Sequence, residues 1–101
     1  MVNLHYDSFA PCLNQPFTVG IAGNPTVELQ LIEIENKSNS RLESFSLIFS
    51  GSQEHVLNQK TYDFNHHRLG HFQLFITPIM SQAENSVHYQ AIVNRFKPTT
   101  L

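Results

Sequence analysis

Glu43-Ser44-Phe45-Ser46-Leu47-Ile48-Phe49-Ser50 places Phe45, Leu47 and Phe49 at every second position. A period of two puts those side chains on one face of a pleated strand. The same alternation recurs three times downstream: Tyr62 and Phe64 in residues 61–65, Phe72, Leu74 and Ile76 in 71–78, and Val87, Tyr89, Ala91 and Val93 in 87–96. Turn-forming residues punctuate the four segments at Gly51-Ser52, at Asn65 to Gly70, and at Ser81 to Ser86. Gly70 is expected at a positive φ, and Pro78 marks a strand end or edge.

Two further strands are read upstream. Residues 17–21 form a short one, with Phe17 and Val19 on one face, and Gly23-Asn24-Pro25 reads as a turn. In residues 26–35 Val27, Leu29 and Leu31 alternate with Glu28 and Gln30, and then the phase flips, so that Ile32 and Ile34 are apolar. A flip inside one strand predicts a β-bulge near Leu31-Ile32. Residues 36–40 are a polar loop, and residues 53–60 a connection with Val56 and Leu57 as anchors. Before the strands, residues 7–13 read as a single helical turn with Asp7 or Ser8 as N-cap. Phe9 and Leu13 share a face there, laid over one end of the core. The expected fold is all-β: a small antiparallel barrel or two-layer sandwich of about six strands with a short N-terminal helical segment. The barrel form is expected as one closed meander.

At 101 residues the chain is read as a single domain, 1–101, with residues 1–15 as a cap and 97–101 as a tail. Only 14% of residues are charged, so the surface carries Ser, Asn, Gln and His and is easier to desolvate against another protein or a second copy. Six scattered Lys and Arg in a chain of net charge −2 build no positive stripe, which argues against nucleic acid as a partner. No apolar stretch approaches the ~18–20 residues of a membrane span. The opening Met-Val-Asn-Leu-His-Tyr-Asp lacks the pattern of a secretory signal. The single cysteine, Cys12, gives no internal disulfide framework. The expectation is a cytoplasmic protein.

Several stretches carry a resemblance: Phe45-Ser46-Leu47-Ile48-Phe49-Ser50-Gly51, Leu57-Asn58-Gln59-Lys60-Thr61-Tyr62, His66, Leu69-Gly70, Leu74-Phe75-Ile76-Thr77-Pro78 and Tyr89-Gln90-Ala91-Ile92-Val93-Asn94-Arg95. Together they resemble DUF6916, a small bacterial family of unknown function. Its members show a phenylalanine-led strand ending in Gly, a Gln-x-x-Tyr strand, a His before Leu-Gly, a Leu-Phe-x-x-Pro strand and a final Tyr-x-Ala-x-x-Asn-Arg. Phe9 and Phe17 fit the family's opening. The resemblance spans Phe9 to Arg95 and implies a shared fold, with His66 in a structural role partnered by Tyr62 across the turn. It implies no chemistry, and the association of relatives with phage-tail-collar-like proteins implies a structural or assembly role. The chain departs from the pattern at His67 and at Ser50, where a basic residue is expected.

Four sets of residues are candidates for chemistry. His66, His67 and His71 lie within six residues, and a zinc site needs three or four converging ligands. The spacing of His67 and His71 suits a helix, whereas here Gly70 and a turn intervene. On neighbouring strands His71 is expected near Asn94 or Phe96. The preferred reading is a backbone-bonded turn histidine, His66, beside solvated His67 and His71, with metal binding by the three as the alternative. Cys12 follows a proline without a nearby base and reads as a small buried hydrophobe. Glu28, Glu33, Glu35 and Glu43 read as a solvated strand face, and Arg95 has Glu33, Glu35 and Asp63 as expected partners.

The fourth set is apolar. Ile32, Ile48, Phe75, Ile92 and Phe96 fall on the phase opposite the core stripe and, with Arg95, form a candidate interaction patch unless Phe9 and Leu13 cover it. With no phosphate-binding loop among four glycines and large residues filling the interior, no cofactor and no small-molecule substrate is expected. The sequence therefore reads as a non-enzymatic structural or protein-interaction module, an accessory or assembly component of a phage-tail-like or collar-type bacterial system.

Overall fold

The alternation read from the sequence is realised as strands in the computed structural model, which describes residues 5–21, 24–80 and 85–96. A short helix α1 (Tyr6–Phe9) runs into a 3-10 turn (Ala10–Cys12), followed by β1 (Pro16–Ile21), β2 (Asn24–Asn36), β3 (Leu42–Ser52), β4 (Lys60–His66), β5 (Gly70–Ile79) and β6 (Ser86–Phe96). The strands close into a barrel in the order β1-β2-β3-β6-β5-β4, every neighbour antiparallel. The barrel is thus realised rather than the sandwich. It is not one meander, however, but two three-stranded meanders joined by β3·β6 and β1·β4.

The connection after β3 carries the chain across the barrel, and Leu57 and Tyr89 show why. Leu57 is buried, and its N–H donates 2.9 Å to the hydroxyl of fully buried Tyr89 on β6. A hairpin at this point would leave that hydroxyl without its partner in an apolar interior. Val56, the other expected anchor, is exposed. The interior is the predicted stripe: Phe45, Leu47, Phe49, Phe64, Ile76 and Tyr89 are buried. Phe17 meets Phe49 edge to face and Phe64 meets it tilted, each at 5.3 Å centroid to centroid. A Cβ at Gly51 would stand 2.5 Å from the Leu29 Cδ2 methyl, so a larger residue there needs that buried side chain to shift. Gly70 has the expected positive φ of 79°.

The bulge is realised: the β2–β3 register shifts between Leu31 and Glu33, after which Ile34 faces Leu47. Next to it the N-terminal segment attaches. Asn14 N–H donates 2.6 Å to the carbonyl of Leu31, and Leu31 N–H donates 3.1 Å to that of Gln15. Asn14 takes a φ of 69°, a conformation asparagine tolerates better than most residues.

Some local expectations are corrected. His5, not Asp7 or Ser8, is the N-cap, with no side-chain cap bond, because Glu43 of β3 takes the Tyr6 N–H at 3.4 Å. Leu13 is exposed, so of that expected pair Phe9 buries against the core, where its ring meets Phe17, Phe45 and Phe72. Asn24 and Pro25 belong to β2 rather than to a turn. The expected turn residue Gly23, most of the loop at 81–86 and the tail at 97–101 lie outside the described residues. No described helix is long and apolar enough to cross a membrane.

Candidate functional site

His66 ends β4 and is buried. Its Nδ1 accepts the N–H groups of Arg68 at 3.1 Å and Leu69 at 3.3 Å, so this nitrogen carries no proton. The proton sits on Nε2, which donates 2.8 Å to the Gln15 side-chain oxygen. Burial holds the imidazole below its usual range, and His67 and Arg68 push the same way. The partner expected from the resemblance, Tyr62, is elsewhere, donating 2.9 Å to the carbonyl of Asn58. The backbone-bonded reading of His66 is realised; its side-chain partner had to come from a residue 51 positions away.

The other two histidines do not converge on it. His67 is exposed, its ring tilted against that of His66 at 4.3 Å between centroids. His71 is also exposed, opposite Asn65 on β4, with Nε2 3.5 Å from Asp63. It does not meet Asn94 or Phe96, because among the described residues β5 and β6 pair through Thr77, Pro78 and Ile79 against Gln90, Tyr89 and His88. With both nitrogens of His66 engaged, a metal would have to displace two backbone bonds or the Gln15 contact. Among the described residues no three His, Cys, Asp or Glu side chains are grouped to hold a metal ion.

A second polar cluster fixes the start of the N-terminal segment. His5 Nδ1 lies 3.0 Å from a Glu43 oxygen, and Arg95 Nε lies 3.5 Å from the same oxygen. Arg95 Nη1 is also 3.3 Å from His5 Nε2. Glu43 and Arg95 face each other across β3 and β6. Arg95 therefore finds neither Glu33, Glu35 nor Asp63; the register brings Glu43 to it instead. Period-two reading places both residues at strand ends, but only the strand order makes them neighbours.

Cys12 is buried, its thiol 3.5 Å from the Ser8 carbonyl. Burial pushes that thiol up, with Arg68 pulling weakly against it, so it is a poor nucleophile. Glu33 and Glu35 are exposed and face Ile48 and Ser46 across β2–β3, a solvated strand face as expected. An open groove of about 460 Å³ is lined by Pro16, Glu28, Gln30, Ser50, Gly51, Ser52 and Asn85.

The outward apolar residues divide. Ile48 is only 8% exposed, flanked by Glu33 of β2 and Gln90 of β6, so it leaves the candidate patch as a correction. Ile32 is half-buried at the bulge. Phe75, Ile92 and Phe96 remain at 52%, 60% and 85% exposure. Phe9 covers none of them, because its ring lies in the barrel among Phe17, Phe45 and Phe72.

Residues 4–93 match the family model described as a domain of unknown function, DUF6916. The chain belongs to the DUF6916 family. The match includes His5, Gln15, Glu43 and His66, and so takes in most of both polar clusters. In this DUF6916 domain Arg95 and Phe96 stand just beyond the matched residues. No curated protein and no solved structure matches the chain.

Proposed function

We propose that this DUF6916 domain is a non-catalytic structural or protein-interaction module. The observation that carries the reading is the placement of Phe75, Ile92 and Phe96, three large apolar side chains more than half exposed outside a barrel filled by aromatic rings. Apolar side chains of this size contribute to stability when covered, and a barrel that already buries a full interior stripe does not need them outside. The low charge of the surface supports the same reading, because polar uncharged groups lose less on desolvation than ions do.

The role assigned is that of an accessory or assembly component of a phage-tail-like or collar-type bacterial system, located in the cytoplasm where such particles are put together. Its partner is another protein or a second copy, and it uses neither cofactor nor small-molecule substrate.

A photo-crosslinking amino acid placed at Phe75 or Ile92 in producing cells tests the reading. A discrete protein adduct is expected at these positions and not at Gln73, an exposed β5 position outside the patch. Recovery of the chain in purified tail-like particles tests the assembly role. Absence of adducts at all the apolar positions, with the chain free of particles, overturns the reading.

A further inference from the structure

We propose that β6 is a dimerisation edge. A second copy of the chain adds its own β6 antiparallel to residues 91–96, with Asn94 opposite Asn94 on a two-fold axis and Phe96 of each copy opposite Ile92 of the other. The inference rests on the interaction-module reading and supplies its occupant.

The backbone comes first. β6 pairs with β3 along its whole length, from Ser86 opposite Ser52 to Phe96 opposite Leu42. On its other side, among the described residues, it pairs with β5 through His88, Tyr89 and Gln90. Beyond Gln90 the two strands part, and β5 continues along β4 down to Gly70. Among the described residues no strand borders 91–96 on that side. Every second residue of such an edge turns an N–H and a C=O outward, which is a template for another strand. Natural edges are usually protected by lysine, proline or a bulge. Residues 91–96 carry none of these, although Lys97 and Pro98 follow them in the sequence: the outward residues are Ile92, Asn94 and Phe96, and the one charge, Arg95, is 3.5 Å from Glu43 of its own chain.

Register then selects the occupant. Facing residues of an antiparallel pair lie on the same face, so two copies must pair even with even and odd with odd positions. A strand centred on Ile92 would have to displace β5 from His88 and Gln90. Centring on Val93 sets Ile92 against Asn94, and centring on Arg95 sets two guanidiniums face to face. Centring on Asn94 uses only 92–96, clear of β5, and sets Ile92 against Phe96 twice. In that register the two arginines are diagonal, each beside its own Glu43 carboxylate. Charge and apolar matching agree on one self-complementary arrangement, as a two-fold interface requires.

An interface this short is weak, so the dimer fraction should rise with concentration. Sedimentation velocity over a dilution series is expected to show a monomer–dimer equilibrium. Ile92→Lys and Phe96→Lys should each raise the dissociation constant on the order of tenfold. Both sites are more than half exposed, so circular dichroism should report unchanged folding. Asn94→Cys should form a disulfide-linked dimer on mild oxidation, whereas Gln73→Cys should not. Amide exchange at 91–96 in the wild-type chain should slow as concentration rises, a readout independent of any variant. A wild-type monomer at all concentrations overturns the proposal, as does a dimer indifferent to both lysines or one without protection at 91–96. A monomer that still captures another protein at Phe75 sinks the dimer and spares the broader reading.

Discussion

His5 and His66 fix the two ends of the same N-terminal segment, one in half-exposed surroundings and the other in the interior. His5 shares Glu43 with Arg95 where water reaches all three side chains. His66 takes two backbone N–H groups and gives one proton to Gln15 where water is excluded. The difference teaches that an ion cluster and a neutral imidazole can mark one segment yet contribute unequally. In water the Glu43–Arg95 ion pair, with His5 beside it, exchanges one set of favourable contacts for another. In the interior every hydrogen bond left unmade costs the desolvation of its donor. Between the two anchors Phe9, with Cys12, supplies the apolar surface that the segment buries.

The largest expected effect comes from removing what both anchors serve. Phe9→Ala takes a fully buried ring from among Phe17, Phe45 and Phe72 and should destabilise the domain by ~3–5 kcal/mol. Thermal unfolding should show a fall in Tm of more than about 10 °C. An effect no larger than that of the exposed anchor would mean the segment is not part of the core.

The inner anchor should come next. His66→Ala leaves the N–H groups of Arg68 and Leu69 and the Gln15 amide without their partner, at ~1–3 kcal/mol by denaturant titration. His66→Asn should recover part of that loss, since its side-chain oxygen can accept the same N–H groups. The comparison also has a pH form. Because the folded His66 is held below its usual value, the native state favours the neutral ring. The unfolded imidazole binds its proton near pH 6.5, so the contribution is full above about that pH and declines as pH falls through the lower folded value. Stability curves of wild type and His66→Asn from pH 7.5 to 4.5 should therefore converge as acid is added. Parallel curves would show that His66 does not couple folding to protons.

The smallest effect belongs to the outer anchor. Glu43→Gln removes the charge shared by His5 and Arg95 and should cost ~0–1 kcal/mol, less still at high salt. A cost equal to that of His66→Ala would erase the distinction between the two anchors.

The strands were legible because alternation survives in six short runs, and Phe45, Leu47 and Phe49 are fully buried as the pattern requires. The bulge was legible for the same reason: the apolar phase in β2 flips where the register shifts. His66 was legible as a backbone-bonded turn residue, but Gln15 was not, since no local period links a β4 histidine to a residue before β1. Ile48 misled because period two reports which face a side chain occupies, not whether neighbouring strands cover that face. Flanking Glu33 and Gln90 decided its burial, and both neighbours depend on strand order.

By itself the sequence determined that this chain makes pleated strands with an aromatic interior and few surface charges, because side-chain direction in a strand follows from position alone. The tertiary structure alone decided that β3 meets β6, that Glu43 meets Arg95, and that β5 leaves β6 after three residue pairs. Those outcomes depend on how the two meanders twist and close around Phe9 and Tyr89. Contacts between residues far apart in the chain are set by the closure of the whole barrel, and no local pattern of residues encodes them.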